Sequence, residues 1–183
     1  MRVRCLLLSF LAGLSPRVLA QPDISVADVT RKVLASANSY AKGIACETAE
    51  ATAKDVGALV PVGPSTEQDQ EGVGTFAVIW RGDIGCQGGS STVTDNIAIV
   101  SRGAYGSFVV DAGQSSPQVS FDTSVSTVDR LVRATGDTLV LDGRKVCDGS
   151  TSLIGCEIRV RITMRQDKDG SWKAISQRDL KAR

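Results

Sequence analysis

The chain contains no histidine. That absence removes the Ser-His-Asp triad, the Cys-His pair, the HExxH zinc site and every imidazole general base, the commonest acid–base group at neutral pH. Aromatic residues are scarce, at 4% of the chain, and strand alternation or helical spacing sends most of them inward. Little is left for base stacking or for a carbohydrate platform. No stretch approaches the ~20 consecutive apolar residues of a transmembrane helix. An excess of one charge is missing too: 21 basic side chains stand against 20 acidic ones. Nucleic-acid binding needs a concentrated basic surface to displace counterions, so nucleic acid is not an expected partner.

Of the 183 residues, the first twenty have their own composition. Arg2 and Arg4 precede an apolar run from Leu6 to Leu14, and Val18-Leu19-Ala20 ends in the small residues a signal peptidase inspects. Residues 1–20 therefore read as a secretory signal peptide, leaving 21–183 as a single globular domain in the periplasm or outside the cell. Cys5 precedes the apolar run, whereas a lipid-anchoring cysteine would follow it. Cleavage removes Arg2, Arg4 and Arg17, which lowers the basic count from 21 to 18 against an unchanged 20 acidic residues. It also removes one cysteine of five. The remaining Cys46, Cys86, Cys147 and Cys156 read as two disulfides with three possible pairings. Cys147 with Cys156 is favoured, because such a short separation can staple a hairpin end; Cys46 with Cys86 follows by elimination. Zinc spacing is absent, and neither metal nor cofactor is expected.

The segment 25–42 opens on Ser25-Val26-Ala27-Asp28, a capping pattern, and places Val26, Val29, Val33, Ala37 and Tyr40 three and four residues apart. This predicts one amphipathic helix stopped by Gly43. Beyond it the period changes to two. Strands are expected at 53–60, 75–81, 93–100, 107–111, 118–121, 126–134, 138–141, 157–165 and 171–176, with tight turns at Gly136-Asp137 and Asp169-Gly170. The polar stretch 63–74 reads as a surface loop. The expected fold is α+β: the helix packed on a strongly twisted, mostly antiparallel sheet of about seven to eight strands, with a closed β-barrel carrying an N-terminal helix as the alternative.

Several stretches bear on chemistry. Residues 81–91 place four glycines after a strand, where consecutive amides can form an anion nest, although a connection pinned by Cys86 explains them as well. Arg81-Gly82-Asp83 spells an adhesion tripeptide, which functions only at an exposed tip. Asp95 falls on the apolar face of Val93, Ile97 and Ile99. A carboxylate there must find a partner or shift its pKa upward, which is how acid catalysts are made. Glycoside cleavage would add a second carboxylate, with Asp83 and Glu157 as the weak candidates.

On 156–165, Ile158, Val160, Ile162 and Met164 alternate with Glu157, Arg159, Arg161, Thr163 and Arg165. Arg159, Arg161 and Arg165, extended by Lys173, make a basic stripe for an anionic partner, unless cross-strand aspartates neutralise it. Asp167-Lys168-Asp169-Gly170 lacks the other ligands of a calcium loop and reads as a turn. Ser39-Tyr40-Ala41-Lys42 and Thr94-Asp95-Asn96 resemble two motifs of penicillin-binding proteins and serine β-lactamases, but the K-T-G strand of those enzymes is missing. Ser101-Arg102-Gly103-Ala104-Tyr105 resembles the serine-glycine-tyrosine loop of one family of small bacterial lysozyme inhibitors, over five residues and with the glycine displaced.

With no complete catalytic constellation, the expected function is that of an exported, non-enzymatic binding protein. Its partner would be another protein or an anionic envelope component, for instance an envelope enzyme that it inhibits or to which it gives immunity. A small carboxylate-dependent hydrolase of an envelope polymer and a structural accessory of an envelope or secretion assembly are the alternatives.

Overall fold

A computed structural model describes residues 25–60, 74–86, 88, 92–147 and 156–181. The expected signal peptide and nearly all of the polar loop 63–74 lie outside them. Helix α1 spans Val26–Ile44, two residues further than its sequence pattern implies: Gly43 does not stop it, and Ala45 caps it. Ser25 accepts the Asp28 N–H through its hydroxyl, as the capping pattern requires. Val29, Val33, Ala37 and Ala41, each four residues from the last, form the buried stripe.

Ten strands follow, β1 (Thr48–Ala49), β2 (Val56–Val60), β3 (Thr75–Gly82), β4 (Thr94–Arg102), β5 (Phe108–Val110), β6 (Phe121–Asp122), β7 (Thr127–Thr135), β8 (Thr138–Val146), β9 (Glu157–Gln166) and β10 (Trp172–Asp179). The fold is α+β with the helix on a mostly antiparallel sheet, but the strands form two open sheets and not one sheet or a closed barrel. Sheet 1 runs β1-β3-β4-β5, with β2 also on β3; sheet 2 runs β6-β10-β9-β8-β7, and its β6–β10 pair is parallel. The count exceeds the expected seven to eight; β1, with two residues, cannot display a period, and the strand expected at 118–121 is reduced to the two residues of β6.

Sheet 1 is buried on both faces. Phe76, Val78, Trp80, Ala98 and Val100 meet the helix stripe, while Ala77, Ile79, Ile97 and Ile99 meet Leu139, Leu141, Val160, Ile162 and Met164 of sheet 2. Each fully buried Ile, Leu or Met of this second layer is worth roughly 1.5–3 kcal/mol of apolar transfer. The sheets touch at their β2 and β7 edges. Gly57 permits this approach, since a methyl group there would stand 2.6 Å from both Ala134 Cβ and Leu131 Cδ2. At the same corner the Gly136 N–H donates to Leu59 O at 2.9 Å.

Beyond the three pairs it makes with β5, strand β4 is met by the irregular segment 111–116. Ser115 Oγ accepts the Ile99 N–H (2.9 Å) and Ser116 Oγ the Ile97 N–H (3.2 Å), while the Asp111 and Ser116 N–H groups donate to Ile99 O (2.8 Å) and Ile97 O (3.0 Å), so two buried serine hydroxyls and two backbone amides stand in for an absent strand. The Tyr40 hydroxyl donates to Ser116 O at 2.8 Å and ties this segment to α1. Disulfides join Cys46 to Cys86 and Cys147 to Cys156, with Cα atoms 5.2 and 5.5 Å apart.

Candidate functional site

Sheet 2 buries one face against sheet 1 and leaves the other outside. Alternation on β9 sends Val160, Ile162 and Met164 inward, and Arg159, Arg161, Thr163 and Arg165 outward. The register places further cations beside them: Arg144 is opposite Arg159, Arg178 opposite Arg161, and Lys173 opposite Arg165. Arg130 stands on the far side of Asp142. The four residues chosen from sequence are thus brought onto one face, and β7, β8 and β10 add Arg130, Arg133, Arg144 and Arg178.

Asp142 organises the centre of this face. Its side chain is 3% exposed and receives two arginines: Arg161 donates from Nε (2.7 Å) and Nη2 (3.0 Å), and Arg130 from Nε (3.1 Å) and Nη2 (2.7 Å). The Arg161 hydrogen bonds, then those of Arg130, hold the Asp142 carboxyl below the usual carboxylate range, and Asp142 in turn raises Arg161. Arg144 bridges Asp129 (2.8 Å) and Glu157 (3.1 Å), Arg165 lies 3.8 Å from Asp137, and Lys173 pairs with Asp167 at 2.6 Å. Arg133, Arg159 and Arg178 have no ion pair among the described residues. Arg133, Arg161 and Arg178 border a depression of about 520 Å³ over Val140, Thr163 and Ser176. Its volume lies in the range of small-ligand clefts. Arg133 and Arg178 were missed from sequence: bulges in β7 and β10 shift their alternation, and a lone arginine carries no signal.

The carboxylates proposed for acid chemistry are not brought into contact. Asp95 lies between the sheets with its side chain 6% exposed, 3.2 Å from Arg81 Nε. It accepts the Val128 N–H at 2.8 Å. Burial pushes its carboxyl up, against the pull of that N–H and of Arg81. Asp83 is also buried, but it serves the glycine-rich turn: its carboxylate accepts the Gly88 N–H, and its carbonyl accepts the Cys46 and Cys86 N–H groups. With Arg81 and Asp83 held in this way and Gly82 buried, the adhesion tripeptide is not an exposed tip. Glu157 is outside, on Arg144. The 167–170 segment is the expected hairpin turn, closed by Asp167 N–H to Ser171 O and by Gly170 N–H to Asp167 O.

Tyr105 departs from the inward rule for aromatics. It is 105% exposed and sits in the left-handed region at φ 57°, between Gly103 and Gly106. Gly103 N–H to Ser107 O and Lys32 Nζ to Gly106 O fasten the loop.

Comparison of the chain with protein-family models, curated proteins and solved structures finds no match. Among the described residues, no helix is long and apolar enough to cross a membrane, and no group of three or more Cys, Asp or Glu is placed to hold a metal ion.

Proposed function

We propose that the protein is exported and acts as a non-enzymatic binding protein, receiving an anionic partner on the outer face of sheet 2. The partner is another protein or an anionic envelope component, as for an inhibitor or immunity-type partner of an envelope enzyme. The observation that carries this reading is the arginine row across sheet 2. Asp142 occupies Arg130 and Arg161 and holds them in place, while Arg133, Arg159 and Arg178 keep their charge unneutralised among the described residues. Arginine forks suit carboxylate recognition, and a like-signed surface steers an oppositely charged partner. Two disulfides support an oxidising compartment, and the leader-like residues 1–20 support export.

Affinity capture from envelope extract tests the reading, with wild type and an Arg133→Gln/Arg159→Gln/Arg178→Gln variant run in parallel at low and high salt. The expected result is an anionic component retained by wild type at low salt, released by high salt, and not retained by the variant. Retention that ignores both salt and the variant would overturn it.

A further inference from the structure

The outer face of sheet 2 offers more than charge, and its details restrict what it can hold. The depression bordered by Arg133, Arg161 and Arg178 has an apolar floor at Val140, and Val132 also lines it with 39% of its surface exposed. Thr163 and Ser176 add hydroxyls. The described residues of β7–β10 carry no aromatic side chain on this face: Trp172, the one aromatic in those strands, is wholly buried in the inter-sheet core. A sugar ring would therefore find no stacking platform here, which disfavours a uronate polymer.

The cations repeat along the strands in outward rows: Arg144 with Arg159, Arg130 with Arg161 and Arg178, Arg133 with Val140 and Thr163, and Arg165 with Lys173. At ~3.3 Å per residue, successive outward rows are about 7 Å apart. An extended peptide repeats its own side chains on one face at that same interval. Arg161 is already committed to Asp142 through Nε and Nη2, so the charge offered to a ligand comes chiefly from Arg133 and Arg178.

Resting on the reading of this face as an anion-binding surface, we propose that its ligand is an extended acidic segment of a partner protein. One carboxylate lies between Arg133 and Arg178 above the Val140 floor, and an apolar side chain lies against Val132 and Val140. Asp142 is a positioning residue in this arrangement: it fixes Arg130 and Arg161 and touches no ligand.

The test measures binding of three fluorescent probes to the oxidised, exported protein: a ten-residue peptide of repeat Glu-Ser-Val-Ser, which sets Glu and Val in turn on one face of an extended chain, its Gln-for-Glu counterpart, and an oligouronate of equal charge. Variants are Arg133→Gln/Arg178→Gln, Arg159→Gln/Arg165→Gln and, as a control far from the face, Arg31→Gln, which sits on α1 beside Asp28. All are exposed arginines, and a thermal melt checks that each variant is folded. Binding of the Glu/Val peptide at least tenfold tighter than of the other two probes is expected, with a tenfold or larger loss in Arg133→Gln/Arg178→Gln and none in Arg31→Gln. Peptide binding that depends on Arg159 and Arg165 but ignores Arg133 and Arg178 would overturn the depression as the seat and leave the face reading intact. Tighter binding of the oligouronate would overturn the partner class alone. Absence of binding to every anionic probe would overturn both.

Discussion

Asp95 accepts the Val128 N–H at 2.8 Å, so a carboxylate on sheet 1 fills the backbone valence of an edge strand on sheet 2. The bond is useful and the charge is costly. Burial raises the Asp95 pKa above its ordinary 3.8, so the folded state binds this proton more tightly than the unfolded chain does. Its contribution is fully present below 3.8 and lost as the pH rises through the higher folded value. Asn keeps an acceptor for Val128 without the charge, and Asp95→Asn is therefore expected to equal or exceed wild-type stability at pH 7.

Asp142 has the opposite sign. Its pKa is lowered by Arg161 and Arg130, so its stabilisation is present above 3.8 and disappears as the pH falls through the lower folded value. Asp142→Asn should cost about 2 kcal/mol at pH 7, the scale of hydrogen bonds to charged groups, and the gap to wild type should close in acid. Urea unfolding of both aspartate variants from pH 7 to pH 3 measures these opposing slopes. Equal slopes would show that the two environments are not as different as the geometry requires.

Gly57 sets how closely the two sheets approach. A Cβ 2.6 Å from Ala134 Cβ must displace backbone or the edge of β7, and Gly57→Ala is expected to cost about 1–3 kcal/mol, the range for overpacking. Calorimetry reads this directly; a neutral substitution would mean that the β2–β7 contact is loose.

The two disulfides close loops of different length, with sequence separations of 40 and 9. Loop-closure entropy assigns about 4 kcal/mol to the longer loop and about 2.6 kcal/mol to the shorter. The Cys46→Ser/Cys86→Ser variant should therefore melt below the Cys147→Ser/Cys156→Ser variant.

Tyr105 stores backbone strain in full view of solvent. A β-carbon in the left-handed region costs about 1–2 kcal/mol, against roughly 0.5–1 kcal/mol for the added chain freedom of glycine. Tyr105→Gly should raise Tm by about 2 °C in a chain of this size. A lowered Tm would show that the ring makes a contact its exposure denies.

The long strands, the helix and the two disulfide pairings were legible because each has a strong local rule behind it: period two in Phe76 to Trp80, period four in Val29 to Ala41, and the short separation of Cys147 from Cys156, which leaves Cys46 for Cys86. The division into two sheets was not legible. It rests on Ser115 and Ser116 closing the side of β4 and on Gly57 admitting β7, and none of the three belongs to a periodic pattern. For the candidate site, Arg159, Arg161 and Arg165 could be read from alternation on an unbroken strand. Arg133 and Arg178 could not, because a β-bulge moves a side chain to the other face and leaves no local trace in composition. Asp95 was legible as an anomaly, but its two partners, Arg81 and Val128, depend on strand pairing.

The central claim, that the outer face of sheet 2 is the binding surface, is tested most directly by nuclear magnetic resonance of the isotopically labelled, disulfide-bonded protein titrated with the Glu/Val peptide. Shifts confined to β7–β10, with the Arg133 and Arg178 side-chain Nε–H signals moving most and the effect fading with added salt, are the predicted result. Shifts centred on the Tyr105 loop or on α1, with the Arg133 and Arg178 signals unmoved, would contradict it.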